Sequence, residues 1–449
     1  MVVKTGVSRQ RYRAINRENV EKLAVWSHLS RDLQEAIRVI SAVLPFRSNA
    51  YVVHKLIDWD RVPDDPMYQL TFPQPGMLAE EQYQKIAPLV LGDAPAEEIA
   101  PVVNRIRLEL NPQPDGQLTD NWPELDGEYL DGMQHKYRET VLFFPSQGQT
   151  CHAYCTFCFR WAQFVGLTGL TFASRETERL VRYLKRHTEV TDVLITGGDP
   201  MIMKASTLAS YIEPLLTPDL EHILNIRIGT KSVAYWPQRF VSDPDADDVL
   251  RLFTKVVASG RHLAVMGHYS HPVELSTPVA QEAIRRIRGT GANVRMQSPL
   301  VRHVNDDPDV WAELWCTGVR LGAIPYYMFV ERDTGACKYF ELPLVQVWEI
   351  YRKAYSQVSG LGRNVRGPSM SAFPGKIRIL GVTSVQGRTL FILEYLQARK
   401  PELVRIPFFA EFDPEATWFD DLEPAFPRDE EFFGRQPGRF SVQLVRLPA

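Results

Sequence analysis

Across 126–335 the chain alternates short β-rich runs with stretches whose apolar residues recur every three or four positions. The runs over 140–144, 192–196, 224–229, 263–267, 294–300 and 324–330 read as strands. Between them, 175–185, 207–216, 247–258 and 278–288 carry apolar residues at helical spacing. Strand–helix alternation implies parallel pairing through right-handed crossovers. Six such units predict the fold class α/β, a partial (β/α)6 barrel. Barrels of this kind carry their chemistry at the C-terminal ends of the strands.

The flanks have a different pattern. Within 1–125, the segments 31–43 and 79–91 read as amphipathic helices. Proline-rich connectors follow, at Pro63 and Pro66, Pro73 and Pro75, and Pro112 and Pro114. This part is expected to be a mostly helical extension packed on the barrel. The third part, 336–449, is expected to be α+β. It holds a helix over 346–358 and a β-hairpin over 376–396 turning at Gln386-Gly387-Arg388. The stretch 412–431 is acidic and aromatic, read first as a solvated or packed tail and alternatively as an oligomer contact.

Composition narrows the class. A chain of 449 residues can bury a large core and hold two or three domains. A net charge of −3 with 23% charged residues gives no generic attraction for nucleic acid. No run of 18 apolar residues marks a membrane span. The first six residues lack a signal-peptide core, and a cytoplasmic protein is expected. Five cysteines, three of them clustered, do not make a disulfide framework.

Those three, Cys151, Cys155 and Cys158, have C-x3-C-x2-C spacing just after an apolar run. A cubane iron–sulfur cluster has four iron corners, normally held by four thiolates. Three close cysteines leave one corner free. Zinc sites usually show two separated cysteine pairs, and Cys316 and Cys337 form none. Redox thiols at Cys155 and Cys158, or buried structural cysteines, are the other readings.

The spacing resembles the signature of radical S-adenosylmethionine (SAM) enzymes, in which a 4Fe–4S cluster binds SAM at its open iron. Further motifs resemble the lysine 2,3-aminomutase family. They begin with His135-Lys136-Tyr137-Arg138 ahead of the cysteines and Gly197-Gly198-Asp199-Pro200. Arg227-Ile228-Gly229 with Pro237-Gln238-Arg239 follows, then His268-Tyr269-Ser270-His271-Pro272. Gln297-Ser298-Pro299 with Val304-Asn305-Asp306, and Pro325-Tyr326-Tyr327, complete the series. In this order they cover roughly 60–400. The resemblance implies a radical SAM barrel, SAM and pyridoxal phosphate (PLP) as cofactors, and migration of an amino group from Cα to Cβ of an amino acid. It also implies a low-potential electron donor. A homo-oligomer is expected.

Residue roles carry over position by position. Phe157 lies where an aromatic ring meets adenine, against the alternative of ordinary packing. Gly197, Gly198 and Asp199 match the SAM-binding strand end, with Asp199 as acceptor for an ammonium or as a helix cap. His268 and Gln297 fall near SAM. Lys376 matches the lysine that carries PLP, although one glycine precedes it where the family loop has several. Lys136, Tyr137 and Arg138 are the nearest candidates for PLP contacts. Arg160 matches the arginine that holds the substrate α-carboxylate. Where lysine-specific members hold the distant ammonium with two aspartates, this chain has Arg332 and the carboxylate-free Pro368-Ser369-Met370-Ser371. A cation in place of an anion reverses the preference of a pocket, so an acidic, glutamate-like amino acid is expected rather than lysine. A one-residue slip onto Asp333 is the alternative. Two rival functions remain: radical SAM chemistry without PLP on a small molecule or a protein lysine, and a non-enzymatic iron–sulfur redox or sensor protein.

Overall fold

The computed structural model describes residues 11–112, 120–166 and 172–434. The first six residues and Pro114 of the third connector lie outside them. One sheet of eleven strands organises the chain, in an order that follows the sequence. β1 (Met133–Tyr137) pairs antiparallel with β2 (Thr140–Phe143). Then β3 (Asp192–Ile195), β4 (Asn225–Thr230), β5 (His262–His268), β6 (Asn293–Leu300), β7 (Ile324–Val330) and β8 (Arg366–Ser371) add in parallel. Six of these seven parallel strands are the expected ones, with ends shifted by at most one residue. β8 is an addition that its sequence hides, since Gly367 and Pro368 both disfavour a strand interior.

β9 (Gly375–Val385) and β10 (Arg388–Ala398) form the expected hairpin, and β11 (Pro407–Glu411) extends it antiparallel. Its two-residue turn places Gln386 and Gly387 at φ 53° and 79°. Positive φ at both positions matches the twist of the flanking strands.

The extension contributes α1 (Arg31–Val43), α2 (Glu80–Leu91) and α3 (Ala96–Glu109). Between the strands run α4 (Thr177–Arg186), α5 (Ala205–Ile212), α6 (Ala246–Ala258), α7 (Pro278–Gly289), α8 (Pro308–Leu321) and α9 (Leu344–Ser356). α3 and α8 were not expected. Pro101 lies inside α3 and breaks its pattern. α8 opens with an Asp307 cap and Pro308 in its first turn, a start signal that the alternation demanded.

Two contacts show how far the sheet curls. Lys136 on β1 donates through Nζ to the carbonyl of Ala372, just past β8. Arg399, just past β10, donates from Nη2 to Asn121 Oδ1 at 2.6 Å, ahead of β1. Strands seven or more places apart thus meet through side chains, as a partial barrel requires. Buried residues from the extension, the barrel and the C-terminal part belong to one connected core. The tail packs into it: Phe432 stacks on Phe408 at 4.6 Å and Phe433 on Phe419 at 4.8 Å. Among the described residues no helix is long and apolar enough to cross a membrane.

Candidate active site

The cysteine loop leaves the C-terminal end of β2 and is clasped on both sides. From the extension, Arg47 donates from Nη1 to Thr150 Oγ1 at 2.8 Å, and Asn49 from Nδ2 to the carbonyl of His152 at 3.1 Å. Tyr154 N donates to the carbonyl of Arg47 and Thr156 N to that of Leu70. From the barrel, Asp199 N donates to the carbonyls of Gly148 and Thr150 at 2.9 and 2.8 Å. A Cβ on Gly198 would lie 2.5 Å from Thr150 N, which is why glycine stands there.

None of the three cysteines is in a disulfide, and all are partly buried. Burial raises each thiol, Cys158 to about 12, and the charges of Asp199, then Cys158 and Cys155, raise Cys151 further. The three side chains are therefore neighbours, and thiolates there need a positive partner such as iron. Among the described residues no three His, Cys, Asp or Glu side chains converge on a single-ion site. A cubane instead takes one thiolate at each of three separate irons, so the donor set fits a cluster better than zinc.

Asp199 occupies a different role from the ammonium acceptor entertained above. Only 1% exposed, it spends both oxygens on the fold. Oδ2 accepts from Thr230 Oγ1, Lys231 N, Ser232 N and Ser232 Oγ at 2.8–2.9 Å. Oδ1 accepts from Met201 N at 2.9 Å and Thr230 Oγ1 at 2.7 Å. The carboxylate caps the turn into Pro200–Ile202 and ties β3 to the end of β4. What remains for a ligand at this strand end is the backbone of Gly197 and Gly198.

Phe157 is buried, with its ring 6.0 Å from that of His268 and 6.2 Å from that of Phe340. Gln297 stands beside His268 in the β5–β6 register. Burial, then the charge of Lys231, pushes the His268 imidazole well below its usual range. His271 caps the following turn, its Nδ1 accepting from Val273 N at 3.3 Å.

Lys376 opens β9, opposite Ser371 of β8. Its Nζ lies 4.2 Å from the ring centre of Tyr327 and 5.7 Å from that of Phe329. Burial lowers its pKa to about 8, while the charge of Tyr326 raises it and those of Arg227 and Arg366 lower it. Lys136 is pushed well below its usual range by burial and by Arg399, Arg332 and Lys376. Burial, then the charge of Tyr327, raises the Tyr137 hydroxyl, against the opposing charges of Arg399 and Arg332. Arg138 turns outward toward Glu139 with 67% of its side chain exposed, and leaves the group.

Arg160 lies 4.1 Å above the Phe144 ring and donates from Nη2 to Gln163 Oε1 at 2.8 Å, while its buried Nε has no partner. Burial lowers its pKa to about 10, against the opposing pull of Cys158 and Cys151. Arg332 rests near Phe159 and Trp418, and its buried Nε is also unpartnered. Arg332 acts on Lys136 and Tyr137, whereas Asp333 acts on Cys337. Arg332 is thus on the Lys136 and Tyr137 side of the site.

Sequence reasoning missed several members of the site. Glu331 is buried beside Arg332, with its carboxyl raised well above the usual range by burial, and its charge reaches Cys155 and Cys158. Its place directly after β7 was a usable signal. Arg366 and Arg399 belong to β8 and to the end of β10, elements whose position relative to the barrel the chain does not announce.

No family model matches the chain. A protein of Aquifex aeolicus (strain VF5) described as "Putative L-lysine 2,3-aminomutase" is 30% identical over 382 residues, which is 84% of this chain and 87% of that protein. The L-lysine 2,3-aminomutase of Haemophilus influenzae is 26% identical over 261 residues, 57% of this chain and 72% of the relative. Among solved structures, a radical SAM methyltransferase from Sphaerobacter thermophilus overlaps 52% of this chain and 68% of its own, at 18% identity and TM-score 0.37. The length and identity of the first match, on top of a three-thiolate loop at the mouth of a parallel barrel, place this chain in the radical SAM lysine 2,3-aminomutase family, as a divergent member.

Proposed function

We propose that the protein is a PLP-dependent 2,3-aminomutase acting on an amino acid with an acidic side chain. The observation that carries this is the excess of cations around Lys376. Arg227 and Arg366 act on Lys376, and Arg399 and Arg332 act with Lys376 on the neighbouring Lys136; the carboxylates among them are Asp192 on Arg227, Asp120 by Arg399 and Glu331 by Arg332. Five arginines and lysines beside Lys376 against three carboxylates leave a net positive charge that favours an anionic ligand. A phosphate with two substrate carboxylates would neutralise them; a lysine side chain would add another positive charge.

When bound, SAM on a reduced cluster supplies a 5′-deoxyadenosyl radical, and PLP supplies a π-system through which nitrogen moves between adjacent carbons. Cys151, Cys155 and Cys158 would hold the cluster, with Gly197, Gly198, Phe157, His268 and Gln297 lining SAM. Lys376 would attach PLP, its lowered pKa leaving a share of neutral amine near pH 7. Lys136 and Arg399 would take the phosphate. The forked guanidinium of Arg160 would grip the α-carboxylate, and that of Arg332 the distal one. Tyr327 and Phe329 exclude water from the face of Lys376.

The test is anaerobic incubation of cluster-loaded protein with SAM, a low-potential reductant, PLP and a panel of amino acids. Formation of 5′-deoxyadenosine and a β-amino acid from an acidic substrate is expected. Turnover of lysine but of no acidic amino acid would overturn the substrate assignment. Turnover that is unaffected by omitting PLP would overturn the cofactor.

A further inference from the structure

One side chain touching the cysteine loop belongs to none of the roles above. Tyr235 ends the short helix Ser232–Tyr235 after β4 and is 1% exposed. Its hydroxyl lies 3.6 Å from the sulfur of Cys155. A cysteine that ligates iron has given up its proton, so the only proton available to this contact is on the tyrosine. The tyrosine donates and the sulfur accepts.

The arrangement is built. Asn49 Nδ2 donates both to the carbonyl of Tyr235 at 3.0 Å and to that of His152 at 3.1 Å, so one amide sets the helix against the loop. Asp199 accepts from Lys231 N and Ser232 N and anchors the start of the same helix. Lys231 Nζ lies 4.6 Å from the centre of the Tyr235 ring. The ammonium is itself buried, paired with Glu274 Oε1 at 2.7 Å and donating to Ser270 Oγ at 3.1 Å. A cation on the ring face draws electron density from the phenol and makes its O–H a stronger donor.

Hydrogen bonds to ligand sulfurs and nearby charge are among the factors that set the potential of an iron–sulfur cluster. Reduction adds negative charge, and a donor on a thiolate stabilises the more negative state. We infer that Tyr235 is a positioning residue for electron entry: its hydrogen bond to Cys155, strengthened by Lys231, which Glu274 holds in place, raises the reduction potential of the cluster and brings it within reach of its electron donor. The inference rests on the cluster assignment but not on PLP or on the substrate.

The experiment is a potentiometric measurement on anaerobically reconstituted protein without substrate, with the reduced cluster read by electron paramagnetic resonance. Iron and sulfide per chain are counted alongside. Tyr235→Phe removes the hydroxyl and keeps the ring. Its midpoint should fall, so that several-fold less cluster is reduced at a fixed potential while iron content is unchanged. 3,5-Difluorotyrosine at position 235, a stronger hydrogen-bond donor, should shift the midpoint the other way. A purely structural role predicts no such opposite pair. Midpoints equal to that of the unsubstituted protein in both variants, at full iron content, overturn the inference. If the phenylalanine variant fails to assemble a cluster, the sign of the fluorotyrosine shift decides alone. Failure of the unsubstituted protein to bind iron would instead overturn the cluster assignment itself.

Discussion

Replacing Asp199 by Asn separates a structural carboxylate from a ligand. The side chain keeps its size and loses its charge, and one oxygen becomes an NH2 group. Placing that group at the Oδ2 position would set it against Lys231 N, Ser232 N and two hydroxyls. The cheaper rotamer turns it toward Met201 N and leaves one buried backbone N–H without an acceptor. An orphaned buried donor costs about 1–3 kcal/mol. The bonds that remain change from charge-assisted to neutral and roughly halve in strength. A lost charged hydrogen bond plus an unpaired donor comes to about 2.5–6 kcal/mol, partly offset because burial raises the Asp199 carboxyl and the neutral amide escapes that cost. A net loss of stability in the metal-free protein follows. Denaturant unfolding of metal-free Asp199→Asn under anaerobic conditions measures it. An unchanged unfolding midpoint together with a weakened affinity of the loaded protein for SAM would refute the reasoning, because that pattern belongs to a carboxylate whose partner is the ligand.

Three further outcomes are expected. Borohydride trapping of PLP on Lys376 should speed up with pH and level off above about 8, where burial leaves the amine neutral; Lys376→Met should abolish the adduct, as read by peptide mass. Arg332→Gln should raise the KM of an acidic substrate about 10–100-fold, the worth of a hydrogen-bonded charge, and Arg332→Asp should gain some turnover of lysine; steady-state assays on both amino acids check this. Gly198→Ala drives a Cβ into the backbone of Gln149 and Thr150 and should cost about 1–3 kcal/mol or more, with less iron retained per chain and a lower melting temperature.

Much of the barrel was legible because its strands are short β-rich runs, several with buried and part-exposed positions alternating, punctuated by helices with apolar residues every three or four positions. The Gly367-Pro368 pair and Pro101 hid β8 and α3, since a breaker residue speaks for local backbone preference while tertiary packing decides the outcome. Lys376 and Arg332 could be found as types at positions. The resemblance also supplied Asp199, but whether its carboxylate faces a ligand or the fold depends on donors at 201 and 230–232, two of them hydroxyls. Tyr235 was invisible for a similar reason. It lies 80 residues from Cys155, and two crossovers, β2–β3 and β3–β4, bring them together.

The curl of the sheet links ligand chemistry to mechanical integrity. Near the site Lys136 ties the first strand to Ala372 past β8, and Arg399 past β10 ties to Asn121 ahead of that strand. An anion resting on those two cations would act as a staple between the first strand and the C-terminal hairpin. Occupancy would then be felt as resistance of the whole sheet to unfolding, about 2.7 kcal/mol at a ligand concentration one hundred times its Kd. In such a molecule a bound anion would also serve as a fastener, and a chain starved of it would be the one that loosens first.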